Sequence, residues 1–263
     1  MTPQPPGSTV TLVTEKILYA GDSSLSTAAG YLAGILAHYR LKFDYVPSDQ
    51  SIGPALSTSR YALYIISDYP VNNVGLDDFG TILEAVKDGA GLMMIGGWES
   101  FHGLGGQYSA SPLADALPVR MQNCDDRVNS PQPCLIEKLR DHAITGDLPF
   151  DRPPTIGGYN RVQPRGGTTQ ILAARHLEVT VSSTGRYKFT KTHAAPLLVV
   201  GAFGSGRTAA FTSDVAPHWV GGLVDWGPKR IIAQASGAAE VEVGCHYAEF
   251  FARLVRWTMG QLD

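Results

Sequence analysis

The amino-acid sequence predicts an α/β fold built on a doubly wound, mostly parallel sheet. In the first half of the chain, short apolar segments alternate with segments of helical periodicity. The apolar segments are apolar at consecutive positions, which is typical of strands that are covered on both faces. Each of them ends in a turn that contains Gly, Asp or Pro, and the order strand–helix–strand favours a parallel sheet with helices on both sides.

Strands and helices follow one another regularly along this half. The first strand, Ile17–Ala20, precedes a helix in which Tyr31, Leu32 and Ile35 recur with helical spacing. Further strands are predicted at Phe43–Val46, Tyr61–Ser67 and Gly91–Ile95, and a second helix at Leu76–Val86. Because crossovers between parallel strands are right-handed, the strand-to-helix turns should lie along one edge of the sheet.

The second half predicts extra strands and loops. Strands are expected at Thr168–Ala174, Glu178–Ser182, Pro196–Phe203 and Thr208–Thr212. Helical turns are expected at Pro112–Leu117 and Cys134–Arg140, a loop at Gly157–Thr169, and a long final helix at Gly244–Met259. No shift in composition marks a domain boundary, so residues 15–263 are predicted to form a single domain. Residues 1–14, rich in Pro, Gly, Ser and Thr, are predicted to be a flexible lead-in.

The composition argues against several classes of protein. The chain has 263 residues, and its net charge of −3 gives no electrostatic attraction for nucleic acid or an anionic membrane. No apolar run approaches the ~20 residues that cross a bilayer, and the N-terminus has no pattern of a secretory signal. Cys124, Cys134 and Cys245 are too few and too scattered for a disulfide framework. We therefore expect a cytoplasmic protein without nucleic-acid or membrane partners.

Candidate site residues lie where the predicted strands end. Ligands of open α/β sheets bind at the carboxyl ends of the strands. The segment Met93–Gly103 is the most distinctive, because a buried strand runs into Gly96-Gly97 and turns sharply, as in the nucleophile elbow of hydrolases. The residues predicted to converge on this edge are Asp22, Asp68, Tyr69, Gly97, Trp98, Glu99, His102, Asp214, His218 and Trp219.

Three segments carry a resemblance to a known family. They are Gly91–Gly103 (GLMMIGGWESFHG), Ser111–Val119 (SPLADALPV) and Pro196–Trp219, and a late helix with Trp257 follows them. In these segments and their order, the chain resembles the "putative glutamine amidotransferase" family, which is related to class I glutamine amidotransferases and to trehalose-utilisation-type proteins. The resemblance covers roughly Lys16–Met259. It implies a flavodoxin-like α/β sheet and a bacterial, cytoplasmic protein.

The resemblance also implies a catalytic pattern from which this sequence departs. Class I glutamine amidotransferases have a cysteine on the elbow, a histidine after a later strand and a glutamate two residues beyond it. The cysteine thiolate attacks the side-chain amide of glutamine. Trp98 stands at the position of this nucleophile, and His218 follows the later strand without a glutamate two residues on. Because an indole has no nucleophilic atom, we do not expect the standard glutaminase reaction.

Glu99, Asp214 and His218 are predicted to carry any remaining catalysis, because carboxylates beside histidines perform general acid–base chemistry. The residues predicted to bind the ligand are Asp22, Asp68, Tyr69, Gly97, Trp98, His102 and Trp219. Structural roles are the alternative: a strand-end aspartate can cap a turn, and Glu99 would complement the dipole of a helix starting there. No histidine pair has zinc-type spacing and no glycine-rich segment has a nucleotide fingerprint, so we expect neither a metal nor another cofactor.

Three hypotheses for the function stay open at this point. In the first, the chain binds or hydrolyses a small polar ligand at the carboxyl edge of the sheet. In the second, it is a non-catalytic homo-oligomeric or partner-binding module, as the missing cysteine and the aromatic helix Tyr247–Trp257 suggest. In the third, it is a genuine amidotransferase that uses Cys124 or Cys245 delivered from another element.

Overall fold

The first half of the chain forms the strands and helices that its sequence predicts. A computed structural model describes residues 15–263, so the predicted lead-in at residues 1–14 lies outside the described part. In chain order the elements are β1 (Ile17–Gly21), α1 (Ala29–His38), β2 (Phe43–Val46), α2 (Gly53–Thr58), β3 (Leu63–Ser67), α3 (Leu76–Lys87) and β4 (Gly91–Ile95). The sequence predicts each of these elements except the short helix α2.

The second half consists mainly of strands. They are β5 (Val119–Met121), β6 (Arg127–Lys138), β7 (Thr155–Asn160), β8 (Val162–Pro164), β9 (Thr169–Val181), β10 (Tyr187–Phe203), β11 (Gly206–Phe211), β12 (Arg230–Ala233) and β13 (Val241–Gly244). The helices are α4 (Pro217–Val220) and α5 (Cys245–Thr258), and the predicted helical turn at Pro112–Leu117 is a 3-10 helix over Pro112–Asp115. Within residues 15–263, no helix combines the length and the apolar character needed to span a membrane.

One mixed sheet organises the fold. Among residues 15–263, nine strands pair in the order β2-β1-β3-β4-β11-β10-β9-β6-β7. The strands from β2 to β11 in this order are parallel, and the pairs from β11 to β7 are antiparallel. Strand β11 lies beside β4, with Phe211 paired to Ile95. This topology confirms the predicted fold class, a flavodoxin-like α/β sheet with extra strands in the C-terminal half.

Apolar side chains cover both faces of the sheet. In β1, Ile17 and Tyr19 pack into one core with residues of α1 and α5, whereas Leu18 and Ala20 pack into the core on the other face, which includes residues of α3. Burial on both faces explains why these strands are apolar at consecutive positions. The polar residues that follow the parallel strands are thereby left at the carboxyl edge of the sheet.

The predicted helical turn at Cys134–Arg140 is wrong, because strand β6 continues through this segment as far as Lys138. Cys134 and Ile136 are buried, and the residues between and after them are partly exposed. This period of two is that of a strand. Strand β6 lies between β7 and β9 in the sheet, so both of its edges are paired.

The predicted loop at Gly157–Thr169 is also wrong in large part, because strands β7 and β8 run through it. The glycines that suggest a loop include one with a packing role. A Cβ atom on Gly158 would lie 2.5 Å from Cδ1 of Trp219, so the indole ring can pack on the strand only where a side chain is missing. Close packing, rather than a turn, accounts for this glycine.

Candidate functional site

The carboxyl edge of the parallel strands gathers acidic residues, as the sequence predicts. Asp22 follows β1, Asp68 follows β3 and Asp214 follows β11. The charge of Asp68 raises the pKa of both Asp22 and Asp214, and the charge of Asp214 raises the pKa of Asp22. Asp22 and Asp68 have positive φ angles of 52° and 43°, so the backbone turns sharply as it leaves β1 and β3.

Asp22 is the most deeply buried of the three, with 2% of its surface exposed. Burial holds its pKa well above the ordinary value, and the charge of Asp214 raises the pKa further. The hydroxyl of Tyr19 donates a hydrogen bond to Asp22 Oδ2, which favours the ionised form and lowers the pKa. Burial outweighs this hydrogen bond, so the pKa of Asp22 stays well above its ordinary value.

Asp214 is held by the loop that follows β11. Its Oδ1 accepts a hydrogen bond of 2.9 Å from the backbone N–H of Ala216. The hydroxyl of Tyr247 on α5 donates to the neighbouring carbonyl of Val215. Burial raises the pKa of Asp214 to about 7, and the charge of Asp68 contributes to the increase. A carboxyl group with this pKa can give or take a proton near neutral pH.

The turn after β4 is held by the carboxylate of Asp68. Oδ1 of Asp68 lies 2.5 Å from the backbone nitrogen of Glu99, and the nearby backbone N–H of Trp98 helps to lower the pKa of this carboxyl group. A Cβ atom on Gly97 would lie 2.5 Å from Asp68 Oδ1, so the close approach requires glycine. Burial raises the pKa of Asp68, whereas the two N–H groups lower it.

Asn160 and Asp126 fix the other side of the same turn. The backbone N–H of Gly97 donates to Asn160 Oδ1 over 2.9 Å, and Asn160 Nδ2 donates to Asp126 Oδ1 over 2.7 Å. Asp126 also accepts hydrogen bonds from the backbone N–H groups of His102 and Gly103, over 3.0 and 2.9 Å. Both side chains are fully buried. Neither residue is among the predicted site residues, since neither belongs to a motif.

These contacts take the place of the helix start that the sequence predicts at Glu99. The predicted helix start is wrong: residues 97–106 form bends and turns, and a 3-10 helix follows at Tyr108–Ala110. The side chains of Asp68, Asn160 and Asp126 accept hydrogen bonds from backbone N–H groups of this segment. Since the N–H groups of Gly97 and Glu99 are occupied, they are not free to stabilise an oxyanion in this conformation.

Glu99 lies between two clefts that open to solvent. The smaller cleft, of about 350 Å³, is lined by Asp68, Trp98, Glu99, Leu104 and Gly105. The larger cleft, of about 600 Å³, is lined by Ser23, Ser24, Thr27, Pro47, Ser48, Asp49, Gln50, Pro70 and Glu99. Partial burial raises the pKa of Glu99, and the charge of Asp68 raises it further. A ligand in either cleft would therefore meet this carboxyl group.

Trp98 forms an aromatic wall of the smaller cleft and is 44% exposed. The guanidinium of Arg127 lies over its ring, with Cζ 4.4 Å from the ring centroid. The exposed ring of His218 meets the indole edge-on, with 6.1 Å between the centroids. Arg127 is bonded to Asp125 over 2.9 and 2.8 Å. His218 and Arg127 both lower the pKa of Asp68, so they lie within electrostatic reach of the acidic edge.

The remaining predicted site residues hold loops in place. Tyr69 is fully buried, and its hydroxyl donates to the carbonyl of Gln50 over 2.6 Å. Trp219 is also buried, and its Nε1 donates to Asn129 Oδ1 over 2.7 Å. His102 Nδ1 lies 2.9 Å from Ser109 Oγ. Within residues 15–263, neither cleft is lined by any of these three side chains.

The described residues that line the two clefts include no cysteine. Cys124 is exposed, Cys134 is buried in β6, and Cys245 is the first residue of α5. Across residues 15–263, no group of three His, Cys, Asp or Glu side chains is arranged to hold a metal ion. The groups that this edge presents for chemistry are carboxyl groups and the imidazole of His218.

Comparison with known proteins places the chain in a family. A family model described as "Putative glutamine amidotransferase" matches residues 67–230, more than half of the chain. The cytoplasmic protein STM1381 of Salmonella typhimurium LT2 is 25% identical, with a TM-score of 0.67 over 92% of this chain and 99% of that chain. The cytoplasmic protein STM3548 of Salmonella typhimurium is 24% identical, with a TM-score of 0.68 over 92% of this chain and 98% of that chain.

A more distant likeness extends to another group. A protein of Parabacteroides merdae described as thua-like is 12% identical, with a TM-score of 0.53 over 94% of this chain and 91% of that chain, and this likeness concerns the fold alone. No curated protein matches the chain. The family match covers β4, the turn after it and the strand β11 that precedes Asp214 and His218. The chain therefore belongs to the "putative glutamine amidotransferase" family.

Proposed function

We propose that this chain binds a small polar ligand, neutral or cationic, at the acidic carboxyl edge of its sheet. The observation that carries the proposal is that Asp68 and Glu99 line the smaller cleft together, while Asp22 and Asp214 lie within electrostatic reach of Asp68. A ligand with hydroxyl or amine donors would satisfy the carboxyl oxygens of Asp68 and Glu99. The exposed indole of Trp98 offers an apolar surface beside them.

The charge of the edge supports a neutral or cationic ligand over an anionic one. Arg127, the nearest guanidinium to Trp98, is already paired with Asp125. An anion in the smaller cleft would face Asp68 and Glu99 at short range, and like charges in a partly buried site repel strongly.

Proton transfer is the chemistry that these residues could add to binding. Glu99 would contact the ligand, and His218 would supply a second titratable group at the exposed side of Trp98. Asp214, with its pKa raised to about 7, would exchange protons with the cluster near neutral pH. This set is suited to hydrolysis by general acid–base catalysis rather than to acyl transfer through a thiolate.

The occupied turn after β4 argues against glutaminase chemistry. A class I reaction needs a thiolate at the turn and N–H groups aimed at the developing oxyanion. Trp98 supplies no nucleophile, and Asp68 and Asn160 already accept hydrogen bonds from the turn. We extend the proposal to a bacterial, cytoplasmic setting, because the Salmonella proteins that the chain resembles are described as cytoplasmic.

A ligand screen on the purified protein tests the proposal. Sugars, polyols, amines and amino acids would be compared by the shift they cause in the melting temperature, since a ligand that binds the folded state stabilises it. We expect a neutral or cationic compound to stabilise the wild-type protein and the matched control Asp77→Asn, which changes an exposed carboxyl on α3. The shift should be lost in Glu99→Gln. If Glu99→Gln and the wild type share one ligand profile, the proposed site is wrong.

A further inference from the structure

Strands β9 and β10 form a two-stranded arm that extends beyond the rest of the sheet. They pair from Lys191 opposite Leu177 to Tyr187 opposite Val181. Strand β6 pairs with β9 only up to Arg175, and β11 pairs with β10 only from Leu198 onward. At about 3.3 Å per residue, the unsupported part reaches about 20 Å past its neighbours. We define the arm as residues 176–193.

The arm stands at the same edge of the sheet as the acidic site. Phe211, the last residue of β11, pairs with Leu198 of the antiparallel strand β10. The part of β10 that precedes Leu198 therefore continues past the carboxyl end of β11. Asp214 and His218 follow that end, so the arm and the acidic cluster project from one edge.

One face of the arm is apolar and uncovered. Side chains alternate between the faces of a strand, so Leu177, Val179, Val181, Tyr187 and Phe189 share one face, with Lys191 at its base. Val181, Tyr187 and Phe189 are 60%, 69% and 64% exposed. The opposite face carries Glu178, Thr180, Lys188 and Thr190. An isolated two-stranded ribbon is marginally stable in water, and an exposed apolar patch of this kind marks an interface.

The base of the arm is fastened, which fixes its direction. Arg175 donates to Glu137 Oε2 over 2.9 and 2.6 Å, and Lys191 lies 3.2 Å from Glu137 Oε1. The rings of His176 and His193 stack with 3.9 Å between their centroids. The ribbon is therefore presented to solvent in a defined orientation rather than folded back on its own sheet.

The smaller cleft has the complementary surface. The arm is basic overall, with Arg186, Lys188 and Lys191 against the single acid Glu178. Of these, Arg186 lies in the turn and Lys191 lies on the apolar face, whereas Lys188 and Glu178 lie on the polar face. The cleft carries Asp68 and Glu99, and its rim exposes Trp98 and Leu104, the latter at 60%. The arm is therefore basic and partly apolar, the cleft is acidic with an apolar rim, and both lie at the same edge of the sheet. Packing two arms against each other would instead bring like charges together.

We infer that this chain forms a two-fold dimer in which the apolar face of each arm packs on the Trp98 and Leu104 rim of the second copy's acidic cleft. Both contacts are equivalent under a two-fold axis, so the assembly closes. Each partner's arm then covers the open side of the cleft beside Glu99. That this covering encloses a ligand rests on the proposed function; the docking of the arm does not.

Sedimentation equilibrium tests the assembly. The double variant Tyr187→Ser with Phe189→Ser removes apolar surface from the exposed face, and Thr180→Ser with Thr190→Ser makes a matched change on the polar face. We expect a wild-type dimer, an unchanged control, and a dissociation constant at least about tenfold higher for the apolar-face variant. Far-UV circular dichroism would establish that each variant is folded. A monomeric wild type, or a dimer that the apolar-face change leaves intact, would overturn the inference.

Disulfide trapping tests where the arm docks. Chains with Tyr187→Cys and chains with Leu104→Cys, both carrying Cys124→Ser, would be mixed and oxidised. We expect mixed disulfide dimers, and few when Leu104→Cys is replaced by Leu76→Cys, a residue on α3 that is 84% exposed. Tyr187→Cys chains that cross-link mainly with one another would overturn the docking site. A dimer that stays intact while Glu99-dependent ligand binding fails would reject the proposed function alone.

Discussion

Oδ1 of Asp68 lies 2.5 Å from the backbone nitrogen of Glu99, so a carboxylate at the end of β3 holds the turn that follows β4. The backbone N–H of Trp98 lies near the same carboxyl group and lowers its pKa. In a class I amidotransferase, this turn would display a thiol and leave N–H groups for the oxyanion. Here the carboxyl group of Asp68 accepts the N–H of Glu99, and an indole stands at the position of the thiol. The turn after β4 therefore departs from the class I pattern in its side chain and in the hydrogen bonding of its backbone.

The first prediction concerns the hydrogen bonds of Asp68. Asp68→Ala leaves the backbone N–H of Glu99 without its acceptor. It also removes the short polar side chain that makes a left-handed backbone easier for Asp or Asn than for Ala, at a position where φ is 43°. We expect a loss of about 1–3 kcal/mol in the free energy of unfolding by urea denaturation. Asp68→Asn keeps an acceptor oxygen and tolerates the left-handed backbone, so it should cost clearly less. Equal losses for the two variants would contradict this role.

The second prediction concerns the space at Gly97. A Cβ atom there would meet Cβ, Cγ and Oδ1 of Asp68 at 2.8, 2.6 and 2.5 Å, and the hydrogen bonds of the carboxylate prevent it from moving away freely. Gly97→Ala should therefore destabilise the protein by about 1–3 kcal/mol, as overpacking does. Gly166→Ala is the matched control, because a Cβ there has no atom within 4 Å. If both variants unfold at the same urea concentration as the wild type, the turn is not packed as described.

The third prediction is a pH dependence of stability set by Asp214. Its pKa is raised from 3.8 to about 7 in the folded protein, so the folded state binds this proton more tightly than the unfolded state does. The contribution of this protonated carboxyl group to the free energy of unfolding is fully present below about pH 4 and is lost as the pH rises to about 7. The loss is at most about 4 kcal/mol, since one pKa unit corresponds to 1.36 kcal/mol.

Asp214→Asn provides the test, because the amide keeps an acceptor for the N–H of Ala216 and does not titrate. Above pH 7 the variant should be more stable than the wild type, and the difference should shrink as the pH falls toward 4. Urea unfolding at a series of pH values measures this directly. A difference that stays constant across the series would show that Asp214 does not carry a raised pKa.

The fourth prediction concerns a cysteine placed on the turn. In Trp98→Cys a thiol would stand at the family's nucleophile position, but the N–H of Glu99 would still be bonded to Asp68 and no glutamate would follow His218 at the required spacing. Ammonia release from glutamine should therefore equal that of the matched variant Trp98→Ser. Release by Trp98→Cys well above that of Trp98→Ser would mean that the turn retains an oxyanion site.

The parallel half of the fold could be predicted because local pattern and tertiary environment agree there. Gly91–Ile95 is apolar at every position and is buried at every position. Strand β7 could not be predicted in the same way. Its Gly158 leaves room for the ring of Trp219, and the two residues are distant in sequence. Strand β6 was ambiguous for a related reason: its short apolar run resembles a helical turn until its pairing with β7 and β9 is known.

The candidate site shows the same division. Asp22, Asp68, Glu99 and Asp214 could be brought to one edge from the sequence, since right-handed crossovers place parallel strand ends together. Asn160 could not, because it enters the site from β7, on the antiparallel side of the sheet, and a single amide carries no spacing signal. The sequence also does not predict which side chains at the strand ends are buried, because their burial depends on packing between segments that are distant in sequence.

Ammonia release from glutamine by the purified wild-type protein shows whether a cysteine of this chain acts as a nucleophile. We expect release no faster than in the protein-free reaction, and no difference among the wild type, Cys124→Ser and Cys245→Ser. If the wild type releases ammonia and either cysteine substitution abolishes the release, this expectation is wrong. A thiol would then act as the nucleophile, although within residues 15–263 no cysteine lines either cleft.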